Sequence, residues 1–259
     1  KLAAVNVIPK KELRSYVGKA TCISSLIHTW RPFVAMLWAP LFIARAGEGA
    51  PPNCVWRSCI DVPLRWISAF LQGKANTLER TYLLQDYLSD GHEVEITVDA
   101  SPRGIGGTLQ EGDELTEYFR DDLTEEDAAM FEHPLGDAEG QQTWEALALL
   151  VALRLWSHKW QHRRIFLRVK SDSISALTMV LKMQARGTGP AIIAREVALD
   201  VADALYTPNV IEHLPGVANC TADLLSRFKE KGRPTLPPLL RQARRAMAPK
   251  RDSLWWRTL

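Results

Sequence analysis

Four carboxylates stand at places from which one fold can gather them. Asp99 closes the alternating stretch Val94, Ile96, Val98 and shares the opposite strand face with Glu95 and Thr97. Glu145 comes near the start of a long helical pattern and heads the spacing Ala148, Leu149, Ala152, Leu153, Trp156, which predicts a buried stripe. Asp172 ends a second strand pattern, Ile165–Ser171, on the phase opposite Ile165, Leu167 and Val169. Asp223 is near the start of a short helix, where the dipole favours an anion. Converging carboxylates push one another's pKa values up, and a pair of divalent cations removes that conflict. Oxygen donors suit Mg²⁺, or Mn²⁺ in its place. Two such ions about 3.5–4 Å apart can activate a water and stabilise the leaving oxygen in phosphodiester hydrolysis. His213, ten residues before Asp223, is placed to shuttle protons beside that site.

Each residue alone has a plainer explanation. Asp172 and Asp223 also suit helix caps or first-turn acids. Glu145 also suits an ion pair with an arginine such as Arg195, and His213 a strand-end bond to a nearby carbonyl. The chemical reading rests on all of them lying at element ends.

The elements that must position them form the order βββ-α-β-α-α-β-α. Strands are expected at Glu93–Asp99, Gly104–Gln110 and Leu115–Phe119, joined by short polar connections as an antiparallel meander. A helix over Gln141–Lys159 follows, then strand Ile165–Ser171 and helix Ile174–Met183. Gly187–Pro190 is a break before helix Ala191–Leu205. Strand Asn209–His213 and helix Thr221–Phe228 complete a mixed sheet with helices on it.

Residues 1–90 read as mainly helical, with helices from Pro9 through Ile23, from Arg31, over Pro63–Leu71 and over Leu78–Leu88. Trp30, Trp38, Trp56 and Trp66 are expected to pack a helical core. Residues 229–259 read as a basic, proline-containing extended tail, with one helix at Leu239–Met247.

The 259 residues carry a net charge of only +2, so whole-chain charge identifies no partner. Its distribution is uneven: Glu111–Glu139 holds twelve acids and one base, and the stretch from Arg227 to the end ten bases and two acids. The acidic stretch reads as a solvated loop, and the basic end fits a nucleic-acid ligand or a solvated tail. The four cysteines form no CxxC pair, which points to free thiols and an intracellular reducing compartment. No apolar run approaches the roughly 18 residues that span a bilayer. The chain opens on Lys1, which reads as a fragment or processed product whose targeting signal would lie outside it.

Several motifs fall in one order: Asp99-Ala-Ser with Gly-Ile-Gly-Gly, Trp144-Glu145-Ala, Ser171-Asp172-Ser173, and His213-Leu-Pro-Gly, Asn219, Ala222-Asp223-Leu-Leu-Ser-Arg227. Together they resemble the ribonuclease H domain of retroelement reverse transcriptases, in the version of long-terminal-repeat and tyrosine-recombinase retrotransposons, over roughly Glu93–Phe228. More loosely, Lys10–Gly18, Ile23–Ile27, Arg31-Pro and Pro40-Leu41 resemble the thumb and connection segment after a polymerase palm. A polymerase YxDD-type turn is absent from the sequence.

The resemblance implies an α/β fold, a ribonuclease H-like mixed five-stranded sheet with flanking helices. It implies a helical segment at 1–90, the catalytic domain at 91–228 and an added tail at 229–259. It also implies that Asp99, Glu145, Asp172 and Asp223 hold two Mg²⁺ ions and, with His213, cut the RNA strand of an RNA·DNA hybrid. Such a site reads 2′-hydroxyls across the minor groove. Arg103, Lys182, Arg186 and Arg227 are candidates for backbone contacts. The acidic 111–139 stretch and the basic tail depart from that pattern and read as surfaces for RNA or other subunits. They keep open an alternative, a domesticated non-catalytic module serving as a structural or RNA-binding subunit of a larger assembly.

Overall fold

Valine and isoleucine at every second position pull one face of His92–Ala100 (β3) into the interior, where Val94, Ile96 and Val98 are at most 2% exposed. The computed structural model describes residues 5–43, 48–75, 91–160, 165–203, 206, 210–230 and 235–258. They fall into two compact units. One comprises the described residues up to Ala75 with Ala198–Asp203 and Thr258, and the other the described remainder from Gly91 on.

In the first unit a two-stranded antiparallel ribbon joins Val7–Pro9 (β1) to Cys54–Trp56 (β2). Helices Lys10–Leu26 (α1), Arg31–Phe42 (α2) and Asp61–Leu71 (α3) accompany it. Aromatic rings form the centre: Phe33 lies 6.0 Å from Phe70 edge-on and 5.9 Å from Trp66, and Trp30 6.1 Å from Phe70. Trp30 is buried as expected, but Trp56 sits at the surface and donates to the Glu48 carbonyl. The helix expected over Leu78–Leu88 lies outside the described residues.

The second unit is a six-stranded mixed sheet in the order β7-β6-β3-β4-β5-β8. Its strands after β3 are Gly104–Glu111 (β4), Glu114–Asp122 (β5), Ile165–Ser171 (β6), Val210–His213 (β7) and Arg244–Arg245 (β8). β3, β4 and β5 form the antiparallel meander, while β6 runs parallel to β3 and β7 parallel to β6. The parallel additions bring the ends of β3, β6 and β7 to one edge, so Asp99, Asp172 and His213 are carried to the same side.

The helices of this unit are Glu125–Phe131 (α4), Gln141–Leu155 (α5), Ile174–Lys182 (α6), Thr188–Ala202 (α7, whose last turns lie in the first unit) and Cys220–Ser226 (α8). The expected amphipathic stripe on α5 is replaced by burial on every side, since all residues from Ala146 to Leu153 are at most 1% exposed. A helix apolar all round belongs in the middle of a core. No helix among the described residues is long and apolar enough to cross a membrane.

Two expectations about the charged segments are corrected. The acidic stretch is not a solvated loop: it contains β5 and α4, the latter opened by a capping box between Thr124 and Asp127. The basic end is not an extended tail with a helix at Leu239–Met247. It has a short 3₁₀ turn at Pro238–Arg241, and β8 adds a sixth strand parallel to β5. Opposite charges explain the docking. Arg251 bonds Asp121 and Asp127, Arg244 bonds Glu117, and Lys229 bonds Asp122. The two stretches read as surfaces for other subunits therefore hold each other. Apolar contacts add to this, with Leu240 against Tyr118 and Leu225, and the Trp256 ring 5.7 Å from Phe131.

Candidate active site

Asp99 pairs with Gly106 across β3 and β4, and Gly106 pairs with Arg120 across β4 and β5. Residues opposite one another share a sheet face, so the glycine leaves a bare valley between an acid and a base. Helix α8 lies in that valley. A Cβ on Gly106 would stand 2.5 Å from Leu225 Cβ and 2.7 Å from the Ser226 nitrogen, and one on Gly104 2.5 Å from the Ser226 carbonyl oxygen. This approach lets the Ser226 hydroxyl donate to Asp99 Oδ2 at 2.5 Å. At the helix start, buried Asn219 donates to the Val98 carbonyl at 3.2 Å.

Asp99 is 6% exposed. Burial pushes its carboxyl up to about 7; the Ser226 bond opposes the rise, the charges of Asp172 and Asp223 add to it, and Arg227 draws it down. The charges of Asp172 and Asp223 therefore bear on Asp99.

Glu145 projects from the first turns of α5. Gln141 Nε2 donates to the Ala100 carbonyl at 2.7 Å and to Glu145 Oε1 at 3.1 Å, tying the helix start to the end of β3. Burial raises the Glu145 pKa; bonds from Ser173 and Gln141 oppose this, and Asp172 adds to it. Asp172 follows β6. Its Oδ1 is buried with no hydrogen-bond partner among the described residues.

Asp223 directs Oδ1 to Arg227 Nε at 2.6 Å, one turn along the helix. His213 ends β7 opposite Ser171 and is exposed, with Nε2 3.2 Å from the Asp172 carbonyl oxygen. A carbonyl only accepts, so this contact makes Nε2 the protonated nitrogen.

Asp99, Glu145 and Asp172 are thus electrostatic neighbours, with Asp223 bearing on Asp99. Among the described residues, however, no group of three or more His, Cys, Asp or Glu side chains is arranged to hold a metal ion. One oxygen of Asp99 and one of Asp223 are committed to Ser226 and Arg227. In kind the donors fit a hard cation: all are carboxylates, two are driven towards protonation by burial, and Asp172 offers a buried unbonded oxygen.

The four basic candidates are dispersed. Arg227 is engaged with Asp223. Lys182 and Arg186 are exposed, at the end of α6 and in the loop after it. Arg103 is exposed in the β3–β4 turn, its guanidinium against Gly136. Sequence reasoning did not single out Gln141 and Ser226, which hold Glu145 and Asp99. Ser226 was visible only as a letter of the last motif, and nothing local marks Gln141 except its place one turn before Glu145.

No protein-family model matches the chain, and no curated protein matches it. Solved structures do. The chain is similar to ribonuclease H1 from Halobacterium salinarum, at 17% identity and a TM-score of 0.41, over 54% of this chain and 98% of that one. It is similar to an N-terminal ribonuclease H domain from Mycobacterium tuberculosis, solved fused to maltose-binding protein, at 14% identity and a TM-score of 0.39, over 55% and 96%. A foamy viral protease–reverse transcriptase, solved with double-stranded DNA, is similar at 15% identity and a TM-score of 0.29, over 81% of this chain and 35% of that one.

Proposed function

We propose that this chain is a metal-dependent nuclease of the ribonuclease H type that cuts the RNA strand of RNA·DNA hybrids and derives from a retroelement reverse transcriptase. One observation carries the reading: Asp99, buried at the end of the central strand, sits in the field of Asp172 and Asp223, and Asp172 keeps a buried oxygen without a partner. Carboxylates crowded this way destabilise the folded chain unless positive charge joins them. The ordered motifs from Asp99 to Arg227 and the β3–β4–β5 meander extended by parallel β6 and β7 support it.

Asp99, Glu145 and Asp172 would hold the cations, with Asp223 joining by turning from Arg227. When bound there, Mg²⁺ or Mn²⁺ would supply Lewis acidity, easing deprotonation of a water near neutral pH and offsetting charge on the leaving oxygen. Ser226 and Gln141 orient Asp99 and Glu145. His213, with Nε2–H given to the Asp172 carbonyl, exchanges protons through Nδ1 at the exposed rim.

A second reading is favoured by the bonds Ser226–Asp99 and Arg227–Asp223, which occupy ligand oxygens as they would in a non-catalytic module. The test is a labelled RNA·DNA hybrid with Mg²⁺ or Mn²⁺, beside Asp99→Asn and Asp172→Asn. Cleavage by the parent and its loss in both variants is expected. A folded parent that cuts nothing with either metal establishes the second reading.

A further inference from the structure

On the far flank of α8 from Asp99 lies a pocket of about 870 Å³ between that helix's end, β5, β8 and the β3–β4 turn. Its acids are engaged elsewhere. Asp121 bonds Arg251 at 2.6 Å, Asp122 bonds Lys229, and Glu230 takes a bond from Ser101 at 3.0 Å and faces Arg227. Its arginines lack an ion-pair partner of their own: among the described residues no carboxylate pairs with Arg103, Arg120 or Arg245. Arg120 lies flat on Phe228, its Cζ 3.3 Å from the ring centroid, and its Nη1 is buried without a hydrogen-bond partner.

Arg245 donates to the Arg120 backbone carbonyl at 3.4 Å, which holds the two like-charged residues together in the same pocket. Burial first, and then the charge of Arg245, weaken the hold of Arg120 on its proton; Tyr118 and Asp122 oppose this without reversing it. Cations kept side by side repel, and an anion placed between them turns the repulsion into attraction. Planar guanidinium forks match the oxygens of a phosphate.

We propose that this pocket binds a phosphate group through Arg120, Arg245 and Arg103, apart from the carboxylate site. Asp99, Gly106 and Arg120 occupy one cross-strand row, so the Arg120 backbone stands about 10 Å from that of Asp99, two strand spacings away, and Ser226, which bonds Asp99, forms the wall between them. The phosphate belongs either to a nucleic-acid strand, which rests on the function proposed above, or to a free anion.

The double variant Arg103→Gln/Arg245→Gln tests both sources, since both side chains are exposed and outside the core. In the first arm, RNA·DNA hybrid binding is measured by fluorescence anisotropy without divalent cation, as a function of salt. Affinity is expected to fall about ten-fold and the salt slope by about one to two. In the second, inorganic phosphate is expected to raise the melting temperature of the parent at fixed ionic strength and not that of the variant. A response in either arm supports the pocket and identifies the source. Parent-like behaviour of the variant in both arms overturns it, as does stronger displacement by a poly-glutamate peptide than by phosphate. Hybrid cleavage by the parent is read separately, so the nuclease reading fails or stands independently.

Discussion

Asp99 and Gly106 face each other across β3 and β4, and the side chain that Gly106 lacks is the space Leu225 and Ser226 fill. A methyl group there meets the backbone of α8 rather than the yielding end of a long side chain. Gly106→Ala should therefore cost about 1–3 kcal/mol, the usual range for overpacking, and separate Ser226 from Asp99. Gly18→Ala is the contrast. That glycine lies exposed within α1 with nothing within 4 Å of a new Cβ, so alanine should stabilise by roughly 0.5–1 kcal/mol. Chemical denaturation of the two variants should give opposite signs.

The raised pKa of Asp99 predicts how stability depends on pH. Its ordinary value is 3.8 and its folded value about 7, so the folded chain binds this proton more tightly than the unfolded chain. The contribution is fully favourable below about pH 4 and is lost as pH rises towards 7. The ceiling on that loss is about 4 kcal/mol. Asp99→Asn, which keeps an acceptor for Ser226, should raise the melting temperature at pH 8 and leave it nearly unchanged at pH 4. A parent whose melting temperature shows no loss relative to Asp99→Asn between those pH values would contradict the buried, crowded carboxylate.

On the function proposed above, Mg²⁺ competes with that proton. Added Mg²⁺ should raise the parent's melting temperature more at pH 8 than at pH 5, because ligands bind metal in their ionised form. Asp172→Asn should remove most of the difference. An equal rise in parent and variant would place the ion elsewhere.

Ser226→Ala should move the Asp99 midpoint above about 7, since the serine bond favours the ionised carboxylate. Titration of the carboxyl carbons by NMR reads this directly. The loss should be felt at pH 8, where a charged acceptor is left unpaired, at about 1–3 kcal/mol, and little at pH 4.

The elements carrying the acids were legible because each had a strong local signal. Alternation marked β3 and β6, the glycines marked β4, and periodicity marked α5 from Gln141. What escaped depended on distant partners. The stripe expected on α5 assumed one solvent-facing side, and it fails because the helix is enclosed all round. The acidic stretch and the basic end each look soluble alone; only their juxtaposition shows Arg251 meeting Asp121 and Asp127. Arg120 drew no notice as the lone base among twelve acids, yet those acids nearest it are bonded to other residues. The four acids of the proposed site were readable as types at element ends, while the bonds of Ser226 and Arg227 to two of them are visible only in three dimensions.

Arg251 decides whether the C-terminal segment is part of the fold. Its side chain is 4% exposed and that of its partner Asp127 1%, with Arg251 Nη2 2.8 Å from Asp127 Oδ2. Burial alone would weaken the arginine's charge, but Asp127 and Asp121 outweigh it and raise its pKa. Arg251→Ala strands a buried carboxylate and should cost about 3–5 kcal/mol in chemical denaturation. Asp127 also caps α4 through Thr124, so that helix should loosen as well, which hydrogen exchange at its amides would register. Arg251→Met with Asp127→Asn removes both charges while keeping a capping side chain. It should recover a large part of the loss, because the penalty comes mainly from the unpaired charge. If Arg251→Ala instead leaves stability within about 0.5 kcal/mol of the parent, as ordinary surface substitutions do, the segment is an appendage and its ion pair contributes nothing to the sheet's sixth strand.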